Sequence, residues 1–288
     1  MRFRSSVVSW LVFGLALAFV AGAVIVNVRS AYPTAAAAAP DTGNAAGAGH
    51  FPGVARPVAN NCSGGRVYLT FDDGPGAGTP LVLERLEQLH LQATFFLIGD
   101  HIAGNETLVR REMADGDSLQ NHTFHHPNLV TGVDVDDVQR SPWGDPEIET
   151  ELVRAIGAIV AAGVPRPTLY RPPYGSVDRD VDAIAQRLGL RLVMPWADDD
   201  RDNIIDSHDT EGVTAAQVVQ YIVPQLKAES IIALHDSEPA SAEVDTQALQ
   251  AVADRMNALH LCSSVQMRRD ATGGVLNEPQ QAGVAKGD

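Results

Sequence analysis

The sequence predicts an α/β fold: a largely parallel sheet curled into a distorted (β/α) barrel, preceded by one N-terminal transmembrane helix. Three observations carry the barrel. Short apolar runs alternate with longer helical patterns, as parallel strands alternate with crossing helices. At least six such units fall within about 200 residues, which suits a barrel better than the open doubly wound alternative. Several apolar runs also end on chemically capable residues. Phe71 leads into Asp72-Asp73, Tyr170 into Arg171, Trp196 into an Asp run, and Leu234 into His235-Asp236. Strand ends that converge on one face of a barrel have this character.

The elements follow in order. Arg2 and Arg4 precede the uncharged run Val7–Val26, long enough to span a bilayer and longer than a signal-peptide core. Residues 7–28 are expected to be a signal anchor, with 1–6 cytoplasmic and the rest extracytoplasmic; the alternative is secretion after cleavage. Residues 29–61 are rich in Ala, Gly and Pro and read as a tether. Residues 62–268 are the folded domain, and 269–288 a flexible tail. Within the domain, Val67–Phe71 is a strand. Thr79–His90 is a helix with Leu81, Leu83, Leu86 and Leu89 near helical spacing. Ala93–Gly99 is a strand, followed by a helix through Leu108–Ala114 and an amphipathic helix over Pro146–Ala162. Strand-like Thr168–Gly175 precedes helix Asp180–Leu188, and Arg191–Asp200 precedes helix Thr214–Lys227. Ser230–Ser237 leads into helix Thr246–Leu259, with a last strand near Leu261–Met267.

Charge excludes one class of partner. The 36 acids outnumber 21 bases for a net charge of −15, so the chain is not built to bind nucleic acid. The two cysteines, Cys62 and Cys262, bracket the folded region. A closed barrel sets its first and last strands side by side, and export supplies oxidising surroundings. The two are expected to form a disulfide.

The chemistry concentrates in short motifs. "TFDDGP" places Asp72 and Asp73 at a strand end before a sharp turn. "NHTFHHPN" supplies His122 and His126 at i, i+4, with His125 between them. Two imidazoles with one carboxylate suit a catalytic metal such as zinc, cobalt or nickel, and the carboxylate would be Asp72 or Asp73. "TFDDGP", "NHTFHHPNL", "RPPYG", "WADDDRDN" and "IIALHDS" occur in the order seen in NodB-like polysaccharide deacetylases, carbohydrate esterase family 4. The chain resembles that family over 62–268.

The resemblance implies metal-dependent removal of acetyl groups, usually from N-acetylglucosamine units. Residue by residue it implies Asp73, His122 and His126 as metal ligands, most simply for Zn²⁺, and Asp72 as general base. Arg171 would hold Asp72, the Tyr174 backbone N–H would face the oxyanion, and His235 would protonate the leaving amine. Asp202 or Asp199 would pair with His235. Pro172, Trp196, Leu234 and Ala233 would line the substrate pocket. Two positions depart from the family: Ala233 stands where Leu is usual, and Asn203 where a second Trp is expected. Both remove apolar bulk, which gives a roomier acyl pocket unless Leu234 or a neighbouring loop fills the gap. The substrate would be a cell-wall or chitin-like polysaccharide. An O-acetyl esterase acting on a polymer such as acetylated xylan is a second reading, and a non-catalytic glycan-binding protein a third.

Overall fold

The computed structural model describes residues 62–132, 144–193, 203–269 and 275–276. The apolar run Val7–Val26 and the tether lie outside these. Among the described residues no helix is long and apolar enough to cross a membrane.

The central strand is β1 (Gly65–Asp72). Its last six residues are buried, because both faces of a parallel strand are covered by helices or by the inside of the curl. Around it lie β2 (Ala93–Leu97), β3 (Ser118–Asn121), β4 (Leu169–Tyr170), β5 (Arg191–Leu192), β6 (Ile204–Asp206) and β7 (Ile231–His235). The order across the sheet is β5-β4-β3-β2-β1-β7-β6, and every pairing on this path is parallel. This is the cyclic order of a barrel with a seam. Among the described residues β5 and β6 do not pair, so the ring is curled rather than closed. β8 (Leu261–Ser263) pairs with the start of β1 through Gly65–Val67. The short strands β9 (Arg268–Arg269) and β10 (Val275–Leu276) form an antiparallel ribbon.

Helices α1 (Thr79–Leu89), α2 (Glu106–Ala114), α3 (Asp145–Ala161), α4 (Arg179–Arg187), α5 (Ala215–Ile222) and α6 (Pro239–Ala258) cover the sheet. Their ends follow local chemistry. Asp178 caps α4 by accepting from the Asp180 and Val181 amides, and Thr214 with Gln217 closes a capping box on α5. The main core packs Val67, Leu69 and Phe71 of β1 against Val82, Leu83 and Leu86 of α1 and Leu249 and Val252 of α6. Phe71 and Phe95 stack at 5.3 Å between centroids.

Cys62 and Cys262 are joined, with Cα atoms 5.3 Å apart. The cause is local rather than ring closure. Cys62 lies just before β1, and Cys262 sits in β8 opposite Arg66 of β1.

Strand register places the chemistry. Asp72 lies opposite His235 across the β1–β7 ladder. Asn121, the residue before His122, lies opposite Tyr170, the residue before Arg171. The C-terminal ends of the parallel strands therefore bring Asp72, His122, Arg171 and His235 to one edge, where open and barrel α/β sheets place their sites.

Candidate active site

At the end of β1 the two aspartates part company. Asp72 continues the strand and is buried. Asp73 has φ 72°, in the left-handed region, which breaks the strand's alternation and lets the second carboxylate also face the cleft. Gly74 follows because a Cβ there would come within 2.5 Å of the Asp236 carboxylate. Asp236 is wholly buried, and burial pushes its carboxyl up to about 7.

The loop after β3 brings two imidazoles to Asp73. His122 Nε2 lies 3.2 Å and His126 Nε2 3.1 Å from Asp73 Oδ1. Glu151 on α3 anchors the loop: its Oε2 accepts from the Phe124 and His125 amides, and its Oε1 pairs with His125 Nδ1 at 2.7 Å. His125 thus serves the loop and points away from the cluster. His122 Nδ1 lies 2.7 Å from the Arg171 carbonyl. A carbonyl only accepts, so Nδ1 carries the hydrogen, and Nε2 is the ring atom that faces Asp73. His126 Nδ1 pairs with the Tyr174 hydroxyl at 3.1 Å. Burial alone would raise the Asp73 carboxyl, but the two histidines hold it well below its ordinary value. Three convergent donors of this type, buried at Asp73 Oδ1, fit a divalent cation.

The second carboxylate, Asp72, meets a fully buried cation. Arg171 Nη1 donates to Asp72 Oδ1 and to Thr70 Oγ1, both at 2.8 Å, and its Nε donates to the Val193 carbonyl at 3.3 Å. The guanidinium lies over Phe96, 4.4 Å from its centroid. A buried pair of this kind holds its geometry because either member alone would leave an uncompensated charge.

Across the ladder, His235 Nδ1 pairs with Asp209 Oδ1 at 2.8 Å. Burial would lower this imidazole, yet the Asp209 hydrogen bond and charge, with Asp72 and Asp73 behind it, raise it to about 9. The partner is a correction. The sequence pointed to Asp202 or Asp199, which with Trp196 lie outside the described residues. Asp209 follows β6 in the turn 209–211, and it belongs to a later Asp-x-x-Asp pair, Asp206 and Asp209. That spacing was visible, but the acidic run 198–200 masked it. In this register Thr210, rather than Asn203, stands where the apolar Trp was expected.

These groups share a cleft of about 260 Å³. Asp72, Asp73, His122, His126 and His235 line it with Pro172, Tyr174 and Ala233. Leu234 does not. Side chains alternate along β7, so Ala233 and His235 face the cleft while Leu234 packs into the main core. Tyr174 has φ 57°, and its phenol steadies His126, a role the sequence did not suggest. On the facing wall Asp206, His208 and Glu211 stand together. Glu211 accepts at 2.9 Å from His208 Nδ1 and, with Asp206, raises that imidazole.

A carboxylate–imidazole–imidazole cluster at the strand ends of a barrel-order sheet, flanked by a second carboxylate and a charged imidazole, has the parts of a metal-assisted hydrolytic site. Residues 59–193 match the sequence model for polysaccharide deacetylases. A chitooligosaccharide deacetylase from Bradyrhizobium is 36% identical over 180 residues, 62% of this chain and 73% of that protein. The chain belongs to the polysaccharide deacetylase family. A bifunctional xylanase/xylan deacetylase from Cellvibrio japonicus is 33% identical over 204 residues, 70% of this chain but only 27% of that longer protein. Among solved structures, a family 4 carbohydrate esterase from Streptomyces lividans in complex with acetate superposes with a TM-score of 0.61 at 30% identity, covering 75% of this chain and 98% of that one.

Proposed function

We propose that this protein is a metal-dependent hydrolase that removes N-acetyl groups from N-acetylglucosamine units of a cell-wall or chitin-like polysaccharide. The observation that carries the reading is the placing of Asp72 and His235 on paired strands beside the Asp73, His122 and His126 cluster. A divalent cation bound by those three side chains, most simply Zn²⁺, would polarise the acyl carbonyl and make nearby water more acidic. Asp72, held by Arg171, takes the proton from the attacking water. His235, charged at neutral pH, delivers a proton to the departing nitrogen. An amine leaves poorly without that proton, which favours the amide over the ester reading. Tyr174 orients His126, and Pro172 and Ala233 shape the space for the acyl group.

The disulfide supports an extracytoplasmic location, with Val7–Val26 as the anchor. Acetate release from chitooligosaccharides, measured before and after chelation and zinc reloading, tests the activity. Release from acetylated xylan but not from chitooligosaccharides would replace the amide reading with the ester one. Carbonate extraction of membranes tests the anchor.

A further inference from the structure

Helix α6 carries a buried acid that the chemistry above leaves unused. Asp245 has no exposed surface, and the same helix buries Ser241 and Thr246 around it. Its Oδ2 lies 3.4 Å from the His235 backbone nitrogen. The same N–H donates to Asp209 Oδ2 at 2.9 Å. One amide hydrogen is therefore shared by two buried carboxyl groups.

Two carboxyl groups that meet over one N–H, away from water, do not both stay ionised; a proton remains between them. Asp209 is the ionised member. The His235 ring pairs with its Oδ1 at 2.8 Å, and the Ser207 hydroxyl donates to the same oxygen at 2.7 Å. Asp245 has no comparable donors, and its Oδ1 has no hydrogen-bond partner among the described residues. We propose that Asp245 is a neutral carboxylic acid whose proton is held against Asp209, and that it is a positioning residue for His235. Burial and the neighbouring Asp209 charge push the Asp245 carboxyl well up. Burial would raise Asp209 too, but His235, Asp245 and Ser207 hold it down.

The consequence falls on His235. A donor on Asp209 draws negative charge from the oxygen that faces the ring, so His235 is held less tightly than a bare carboxylate would hold it. Acids and imidazoles both stand around the ring: His122, His126 and His208 line the same cleft, and the remaining groups are acidic. Asp72 and Asp73 face it from the end of β1, Asp206 from β6, Glu238 from the start of α6, and Asp236 follows it in the chain.

The test is an NMR titration of the His235 imidazole in the metal-free full-length chain. It is paired with the pH dependence of kcat/KM on chitooligosaccharides for the zinc-loaded enzyme. Asp245→Asn keeps a neutral donor and is expected to leave the His235 midpoint and the basic limb where the wild type has them. Asp245→Leu removes the donor and is expected to raise both by roughly half to one pH unit. A midpoint lowered by Asp245→Asn would mean that Asp245 is ionised, and would overturn the proposal. An unmoved midpoint in a folded Asp245→Leu protein would reduce the residue to packing and overturn it as well. The Asp245 carboxyl carbon shift at neutral pH decides the matter without the leucine variant: a protonated-acid shift supports the proposal, and a carboxylate shift ends it. The activity arm rests on the deacetylase reading. If the wild type releases no acetate, that reading fails while the titration still decides the role of Asp245.

Discussion

The two ends of β1 do opposite work. At its start Gly65–Val67 pairs with β8, and a disulfide joins the residues on either side. At its finish Asp72 pairs with Arg171 and lies opposite His235. The starting end is held by a covalent bond and apolar packing. The finishing end gathers buried charge and left-handed backbone: Asp73, His126, Tyr174 and His208 all have positive φ and all line the cleft. Such conformations cost on the order of 1–3 kcal/mol each and persist only where the surroundings enforce them. One strand thus separates the part of the fold that supplies stability from the part that spends it on chemistry.

The largest effect should come from emptying the finishing end. Exhaustive chelation is expected to abolish acetate release, and Zn²⁺ or Co²⁺ to restore it, with the fold unchanged by circular dichroism. Full activity in metal-free protein would break the comparison outright. Asp72→Asn should retain metal, measured by elemental analysis, and lose 10²–10⁴-fold in kcat, about the contribution of a general base. Asp73→Ala should lose the metal itself. If Asp72→Asn costs metal and Asp73→Ala does not, the two aspartates have exchanged roles.

At the starting end the signs reverse. Replacing Cys62 and Cys262 together with alanine should lower unfolding stability by about 4–5 kcal/mol, an upper value for closing so long a loop, with kcat little changed. Denaturant titration and a kinetic assay on the same sample measure both. A variant that keeps its stability but loses activity would erase the division between the ends.

A finer test lies in pH. The Asp209 hydrogen bond and charge, with Asp72 and Asp73, raise the His235 imidazole to about 9. A bound divalent cation opposes that charge, so its midpoint should fall when zinc is added. NMR titration of the imidazole reads the shift, and a midpoint that rises on loading would show the cation sitting elsewhere. The smallest effect concerns the acyl pocket. Ala233→Leu should favour N-acetyl over N-propionyl glucosamine oligomers by up to about 1–3 kcal/mol. An unchanged ratio of kcat/KM values would remove Ala233 from the pocket wall.

Much of this was legible in sequence, and the exceptions share a cause. Strong apolar runs announced β1, β2 and β7, and with them the positions of Asp72, Asp73 and His235. Besides the ribbon of β9 and β10, part of which falls in the expected tail, two strands of the main sheet were missed, β3 (Ser118–Asn121) and β6 (Ile204–Asp206). Both are short, and Ser118, Gln120 and Asp206 give them little apolar signal. The loss of β6 hid Asp209 just beyond it. Helix α6 was expected from Thr246 but starts at Pro239. Its first turns bury Ser241 and Asp245 beside the small Ala242, too weak an apolar pattern for hydrophobic periodicity to reveal. Polar residues buried for one another's sake leave no apolar pattern, and here they are the ones that support the site.

The position of β1 also has a consequence for how the molecule is made. Synthesis runs from the N-terminus, so β2 is available to β1 almost at once. Its other edge needs β7 and β8, which end at residues 235 and 263. Through most of translation the central strand therefore offers an open row of backbone donors and acceptors, and Cys62 waits as a lone thiol. An unpaired apolar edge of that kind invites association with other chains. Truncations before β7 should therefore aggregate rather than fold.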